Sequence, residues 1–286
     1  MEGSKIKSIV IVILLLLNAF LLVLSGGRRL VDAKSQDQAR TDAMKVIRDN
    51  GITLEDNVVP KSVELFPMRA SRDTQRESAL AARLLGEGTT REHRGSEVYR
   101  YENEAGSVQF HSTGEVAARF YADLHPLVDQ DPGRHAVTVA RLLDCETRVE
   151  DCSVRNGTGT VTLVQTVQDV PVLDCRLVAQ YEDGRLESLQ GTRLPGKLEE
   201  LEGDTPITVA TALMRLYNGL KKMGDIYSGI ESITSAYTLR VEYVGSVRLT
   251  PAWSVHTDTG SYVINTMTGQ LERAAGIGGH SEQSEE

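Results

Sequence analysis

The sequence predicts an α+β fold carried behind a transmembrane helix, and three observations support it. Residues 8–24 form a run of seventeen with no charge. Downstream, apolar residues switch repeatedly between helical spacing and strict alternation. The order of one helix followed by several strands then recurs about three times across residues 35–275. Strands that follow one another in runs point to helices packed on one face of antiparallel sheets, not to βαβ units.

The apolar run, SIVIVILLLLNAFLLVL, has Ser8 and Asn18 as its polar breaks. As a helix it is roughly 26 Å long, close to the ~30 Å hydrocarbon core of a bilayer. Val23-Leu24-Ser25 is a poor small-x-small site, which favours a permanent anchor over a cleaved signal. The expected organisation is a cytoplasmic tail at 1–7, an anchor at 8–25 and a juxtamembrane segment at 26–34. A first α+β unit follows at 35–125, then a second α+β region at 126–275 with two helix-plus-sheet units, and a disordered acidic tail at 276–286. Asparagine is costly at mid-bilayer unless its amide meets a partner. Ile11, Leu15, Asn18 and Leu22 share one face of the helix and form the candidate partner-binding stripe.

Past the anchor, Ala39, Ala43, Val46 and Ile47 recur at helical spacing, with Ser35 as a cap and Gly51 as the stop. VVPKSVELFP, bounded by Pro60 and Pro67, is extended. In RDTQRESALAARLLGEG, Ala79, Leu80, Arg83 and Leu84 step round a second helix that ends at Gly86. SEVYRYENEAGSVQFHSTGEVAARFY reads as strands joined by turns at NEAG and STGE. The polar stretch ADLHPLVDQDPGRH marks the boundary between units. GRHAVTVARLLD is a helix, and TGTVTLVQTVQ, VPVLDCRLVAQYE and RLESLQGTRL are strands, the last two joined by the EDG turn at 182–184. After the loop LPGKLEELEGDT, Asp204 and Thr205 cap a helix with Pro206 at its first position and Ile207, Ala210, Leu213, Tyr217 and Leu220 on one face. AYTLRVEYVG, LTPAWSVHTD and GSYVINTMTGQLE close the chain as strands.

Five basic and two acidic residues fall in 1–34, so the net charge of -9 leaves -12 for residues 35–286. A body this acidic has no bulk attraction for nucleic acid or an anionic lipid surface. Trp253 is the single tryptophan and aromatics make up 5% of residues, which argues against an aromatic ligand platform.

Catalytic and metal-binding motifs are missing. The six histidines stand in no HExxH or HxH arrangement, and there is no G-x-S-x-G elbow. NGTGT at 156–160 lacks the following helix that a phosphate loop needs and reads as a turn. HTDTG at 256–260 lacks the alternating acids of a calcium loop. Glu199 and Glu200 read as a solvated pair. Cys145 and Cys152 are spaced to permit a small disulfide loop that leaves Cys175 unpaired, and buried free thiols are an equal alternative. No catalytic, cofactor-binding or metal-ligating residue is assigned, and no cofactor is expected.

Four stretches carry a resemblance: KIKSIVIVILLLLNAFLLVL, DNGITLEDNVVP, VQDVPVLDCRLVAQYEDGRLESLQG and LTPAWSVHTDTGSYVINTMTGQLE. In the last, Tyr262, Asn265, Thr268 and Gly269 fit a Tyr-x-x-Asn-x-x-Thr-Gly ending. The layout resembles the YycI family of membrane-anchored regulators of Gram-positive two-component systems, and more loosely YycH and PepSY-like modules. The resemblance implies a non-enzymatic, single-pass protein of the cell membrane with most of its chain extracytoplasmic. The implied partners are a sensor histidine kinase and a YycH-like accessory protein. The alternative is an extracytoplasmic PepSY-like binding or inhibitory module for a secreted peptidase or a cell-wall component.

Overall fold

The computed structural model describes Leu14 and residues 34–63, 65–95, 97–127, 131–203 and 205–274. Helix α1 is described over 34–49 and stops at a turn where Gly51 takes φ +86°. Residue 34 is already helical, so Ser35 lies inside the helix and not at its cap. Two short strands follow, β1 (Thr53–Leu54) and β2 (Met68–Arg72). Helix α2 (Thr74–Leu85) starts where the Asp73 carboxylate accepts the N–H groups of Gln75 and Arg76 at 3.0 and 3.1 Å. Strands β3 (Thr90–His93), β4 (Tyr99–Asn103), β5 (Gly106–Phe110) and β6 (Glu115–Phe120) form a meander.

Helix α3 (Pro132–Leu142) repeats this start with Asp131 as cap and Pro132 in its first turn. Its strands are β7 (Thr147–Cys152), β8 (Gly159–Val167), β9 (Val170–Glu182) and β10 (Arg185–Thr192). Asp183 and Gly184 both take positive φ in the two-residue turn between β9 and β10, as a tight hairpin of this type requires. Strand β11 (Gly196–Glu200) precedes helix α4 (Val209–Met223). The third unit ends with β12 (Gly229–Tyr243), β13 (Ser246–Thr257), β14 (Gly260–Asn265) and β15 (Leu271–Arg273).

Helix α4 begins later than its sequence signals indicate. Ile207 donates its N–H to the Thr266 carbonyl at 2.8 Å, which keeps the chain extended, and Thr208 becomes the cap. β11 lies in a stretch expected to be loop, and it pairs antiparallel with β2 from Gly196↔Arg72 to Glu200↔Met68.

The strands join into one mixed sheet in the order β11-β2-β13-β12-β9-β10-β6-β5-β4-β3, with β7, β8, β14, β15 and β1 branching from it. Among the described residues all ladders are antiparallel except β1–β12 and the single bridge Tyr237↔Val172 that links β12 to β9. That bridge divides the sheet into two halves. Over one half, α2 and α3 bury Leu80, Leu84, Ala136, Val139 and Ala140 against Val108, Leu163, Leu177 and Tyr181. This core draws on residues from both sides of the polar stretch at 122–135. Over the other half, α1 and α4 bury Met44, Ile47, Leu213 and Leu216 against Trp253, Val255 and Ile264. A third cluster, with Met68, Val172, Cys175, Tyr237 and Leu249, fills the junction.

No helix among the described residues is long and apolar enough to cross a membrane. The apolar helix faces are spent on the sheets; α4, for example, buries Leu213, Leu216 and Leu220 and leaves Lys221 and Lys222 exposed. The expectation of a transmembrane helix heading a YycI-like chain, and of a single-pass protein of the cell membrane, is therefore corrected to an α+β domain with a mixed sheet. The expected anchor at 8–25, apart from Leu14, and the acidic tail at 276–286 lie outside the described residues.

Candidate functional site

Among the described residues, strand β7 is an open edge that pairs with β8 alone. Five of its six residues are exposed, so its sequence, TRVEDC, lacks the apolar alternation of a half-buried strand. A register shift between Val149 and Asp151 interrupts the ladder, the kind of irregularity that ends pairing at a sheet edge. Its inner side leans on α3, where a Cβ added at Gly133 would meet the Val149 side chain at 3.3 Å.

Beside this edge a groove of about 460 Å³ runs between β7 and β9 on one wall and β12–β15 on the other. Its lining includes Arg148, Glu150, Arg176, His256, Ser261 and Arg273. Arg176 donates Nε and Nη2 to the two Glu150 carboxylate oxygens at 2.6 and 3.0 Å, a two-pronged ion pair. That hydrogen bond raises the Arg176 pKa above its ordinary value. The fork also ties β7 to β9 across β8. At the floor, Asp174 accepts the Leu239 N–H at 2.7 Å, which joins the two halves of the sheet.

In chemical terms the groove offers recognition. His256 Nδ1 lies 2.8 Å from Ser261 Oγ, but a serine nucleophile also needs a third group to orient its base. The neighbouring Asp258 is committed elsewhere: its carboxylate accepts the Ser228 hydroxyl at 2.5 Å and the Ser228 and Gly229 N–H groups. These bonds hold its carboxyl below the usual carboxylate range. HTDTG is thus a turn, in which Thr257 Oγ1 accepts the N–H groups of Thr259 and Gly260. Among the described residues no group of three or more His, Cys, Asp or Glu side chains could hold a metal ion.

The other residues singled out in the sequence are dispersed. The three cysteines are free thiols, with Cys145 and Cys175 buried and Cys152 exposed at the end of β7. Burial pushes the Cys145 thiol up to about 11 and raises Cys175 further. NGTGT is the β7–β8 turn, with Asn156 and Gly157 at positive φ; the Gly157 carbonyl accepts the Gly184 N–H at 2.9 Å, so two turns stack at one end of the sheet. Glu199 and Glu200 are exposed on β11. Ile11, Leu15, Asn18 and Leu22 lie outside the described residues. The Glu150–Arg176 fork leaves no linear signal, because the two residues belong to strands separated by a third.

The fold defines a class: an α+β module with the likeness of a PepSY or propeptide-inhibitor fold related to protease-regulatory proteins. Residues 148–192 match the Fungalysin/Thermolysin Propeptide Motif family, a non-catalytic regulatory and inhibitory domain. The match spans β7 to β10. No curated protein matches the chain. Among solved structures, the chain is similar to an uncharacterized protein from Eubacterium rectale ATCC 33656, at 14% identity and TM-score 0.48 over 73% of this chain and 86% of that one. It is also similar to the Bacillus megaterium YpeB C-terminal domain, at 11% identity and TM-score 0.38 over 72% of this chain and 100% of that one. The family match overturns the YycI-specific expectation of a two-component regulator acting on a histidine kinase through a transmembrane helix.

Proposed function

We propose that this protein is a regulatory module that binds a peptidase of the thermolysin class and restrains its activity. One observation carries the reading: the segment matching the propeptide motif, residues 148–192, supplies both the open edge strand β7 and one wall of the groove beside it. An edge strand presents unpaired N–H and C=O groups that can take up a strand from a partner. The charged fork of Glu150 and Arg176 fixes the shape of the adjoining wall. The chain needs no catalytic group of its own for this role.

Thermolysin is the probe that tests it. Its hydrolysis of a chromogenic peptide should slow in a saturable way as the full chain is added. An Asp151→Lys variant should raise the half-inhibitory concentration at least tenfold while leaving Tm within about 2 °C, because surface changes on an exposed strand are small in stability. Unchanged hydrolysis at every concentration, or undiminished inhibition by the Asp151→Lys variant, would refute the reading.

A further inference from the structure

Where β14 and β15 meet the loop that follows α4, a second depression of about 310 Å³ is lined by Asp225, Ile226, Tyr262 and Arg273, among others. Ser261, Arg273 and Ala274 line both it and the groove beside β7, so the two share a wall. Ile226 is 90% exposed, more than any other large apolar side chain among the described residues. Single apolar side chains are common on protein surfaces and need no explanation by themselves. The way the loop holds Ile226 sets it apart.

The residues on both sides of Ile226 are tied to the body of the protein. Helix α4 stops at Gly224, whose left-handed conformation at φ +72° turns the chain out of the helix. Asp225 then accepts the Tyr262 hydroxyl at 2.7 Å and a guanidinium N–H of Arg273. On the other side, Tyr227 packs against the core under α1 and α4. Ser228 donates its N–H and hydroxyl to Asp258 at 3.0 and 2.5 Å, and its carbonyl accepts the Thr53 N–H at 2.8 Å. Pinned on both flanks, the loop keeps an isoleucine in water, and covering that side chain recovers hydrophobic free energy. A side chain held on a fixed loop also leaves less conformational freedom to be lost on binding.

We infer that Ile226 is an anchor by which this protein grips its peptidase: the isoleucine enters an apolar pocket on the surface of a peptidase seated in the β7 groove. The inference rests on the peptidase reading and deepens it, naming the side chain that makes the hold and the chemistry of the pocket that receives it. A partner in the groove reaches the depression through the wall they share. The two charged residues of the depression, Asp225 and Arg273, pair with each other, so it brings no unpaired charge into the contact. A desolvated anchor of this kind carries a large share of the binding energy of an interface.

Thermolysin is again the probe, with the full chain as inhibitor. Ile226→Val should raise the half-inhibitory concentration about fourfold and Ile226→Ala at least about tenfold, a grading set by the methylene groups removed from the pocket. Binding of thermolysin to the immobilised chain should weaken in the same order. The Tm of both variants should stay within about 2 °C of the unaltered chain, because the side chain is exposed when no partner is bound. Inhibition that Ile226→Ala retains in full would overturn the inference and leave the peptidase reading standing. Absence of both inhibition and binding by the unaltered chain would overturn the peptidase reading and this inference with it.

Discussion

Replacing Glu77 by alanine should destabilise this protein more than any other single charge removal in the first helical layer. Glu77 lies in the first turn of α2 and Arg72 ends β2; their side chains are 2% and 5% exposed. The pair is two-pronged, and Arg72 also donates to the carbonyls of Glu97 at 2.5 Å and Phe110 at 3.1 Å and lies 5.0 Å from the Tyr99 ring centroid. Removing Glu77 leaves the buried guanidinium with the half-exposed Glu97 carboxylate, 3.7 Å away, as its remaining charge partner among the described residues, at a cost of about 3–5 kcal/mol. With a urea m-value of about 2.5 kcal/mol/M, the midpoint should fall by about 1.2–2 M. Urea denaturation followed by far-UV circular dichroism measures it. The double variant Arg72→Met, Glu77→Leu should recover more than half of the loss, because the buried charge goes with its partner; the two carbonyls that Arg72 served limit the recovery. A midpoint shift below about 0.4 M for Glu77→Ala, or a double variant as unstable as the two single losses added together, would refute the reasoning.

Four further outcomes are expected. Burial pulls the His135 pKa below its ordinary value, with Nδ1 at 2.7 Å from the Tyr181 hydroxyl; the unfolded chain therefore takes up a proton that the folded one refuses. Stability should be full above about pH 7 and fall as pH drops through about 6.5 toward the lower folded value, and His135→Gln should flatten that part of a Tm-against-pH curve. Gly191 takes φ +146°, and a Cβ there would stand 2.0 Å from the Arg176 carbonyl oxygen in β9, so Gly191→Ala should cost about 2 kcal/mol or more, read by urea denaturation. In native protein a disulfide-exchange reagent should label one thiol, Cys152, with all three reacting in denaturant. Asp174→Ala removes the acceptor of the Leu239 N–H, and hydrogen exchange at that amide should accelerate at least tenfold, with a loss of about 1–2 kcal/mol in global stability.

Much of the scaffold can be read from local sequence, where local chemistry decides the outcome. Helices α2 and α3 carry an aspartate directly before a helical apolar pattern, and both start there. The hairpin at Asp183-Gly184 is legible because both turn positions need positive φ and the flanking strands alternate. Strands β2, β3, β7 and β11 are illegible for the opposite reason: β3 and β7 are exposed and lack apolar alternation, while β2 and β11 are short and held by partners distant in sequence. The start of α4 depended on a carbonyl about sixty residues downstream, that of Thr266. The site was harder still. Glu150 and Arg176 look like surface charges in any linear pattern, and only the pairing of β7, β8 and β9 brings them together. The apolar start of the chain and a likeness of layout to YycI led to a kinase partner, because features that specify a fold do not specify what it binds.

The junction between the two halves of the sheet is crossed by one parallel bridge, the Asp174-to-amide bond and the bonds of Arg72 to Glu77 and Phe110, while Met68, Val172, Cys175, Tyr237 and Leu249 fill the space between. Much of the cohesion there is oily contact, and such contact weakens as water cools. Near freezing, this joint should relax before either half does, so cold would make the molecule bend at its middle while its ladders stay zipped.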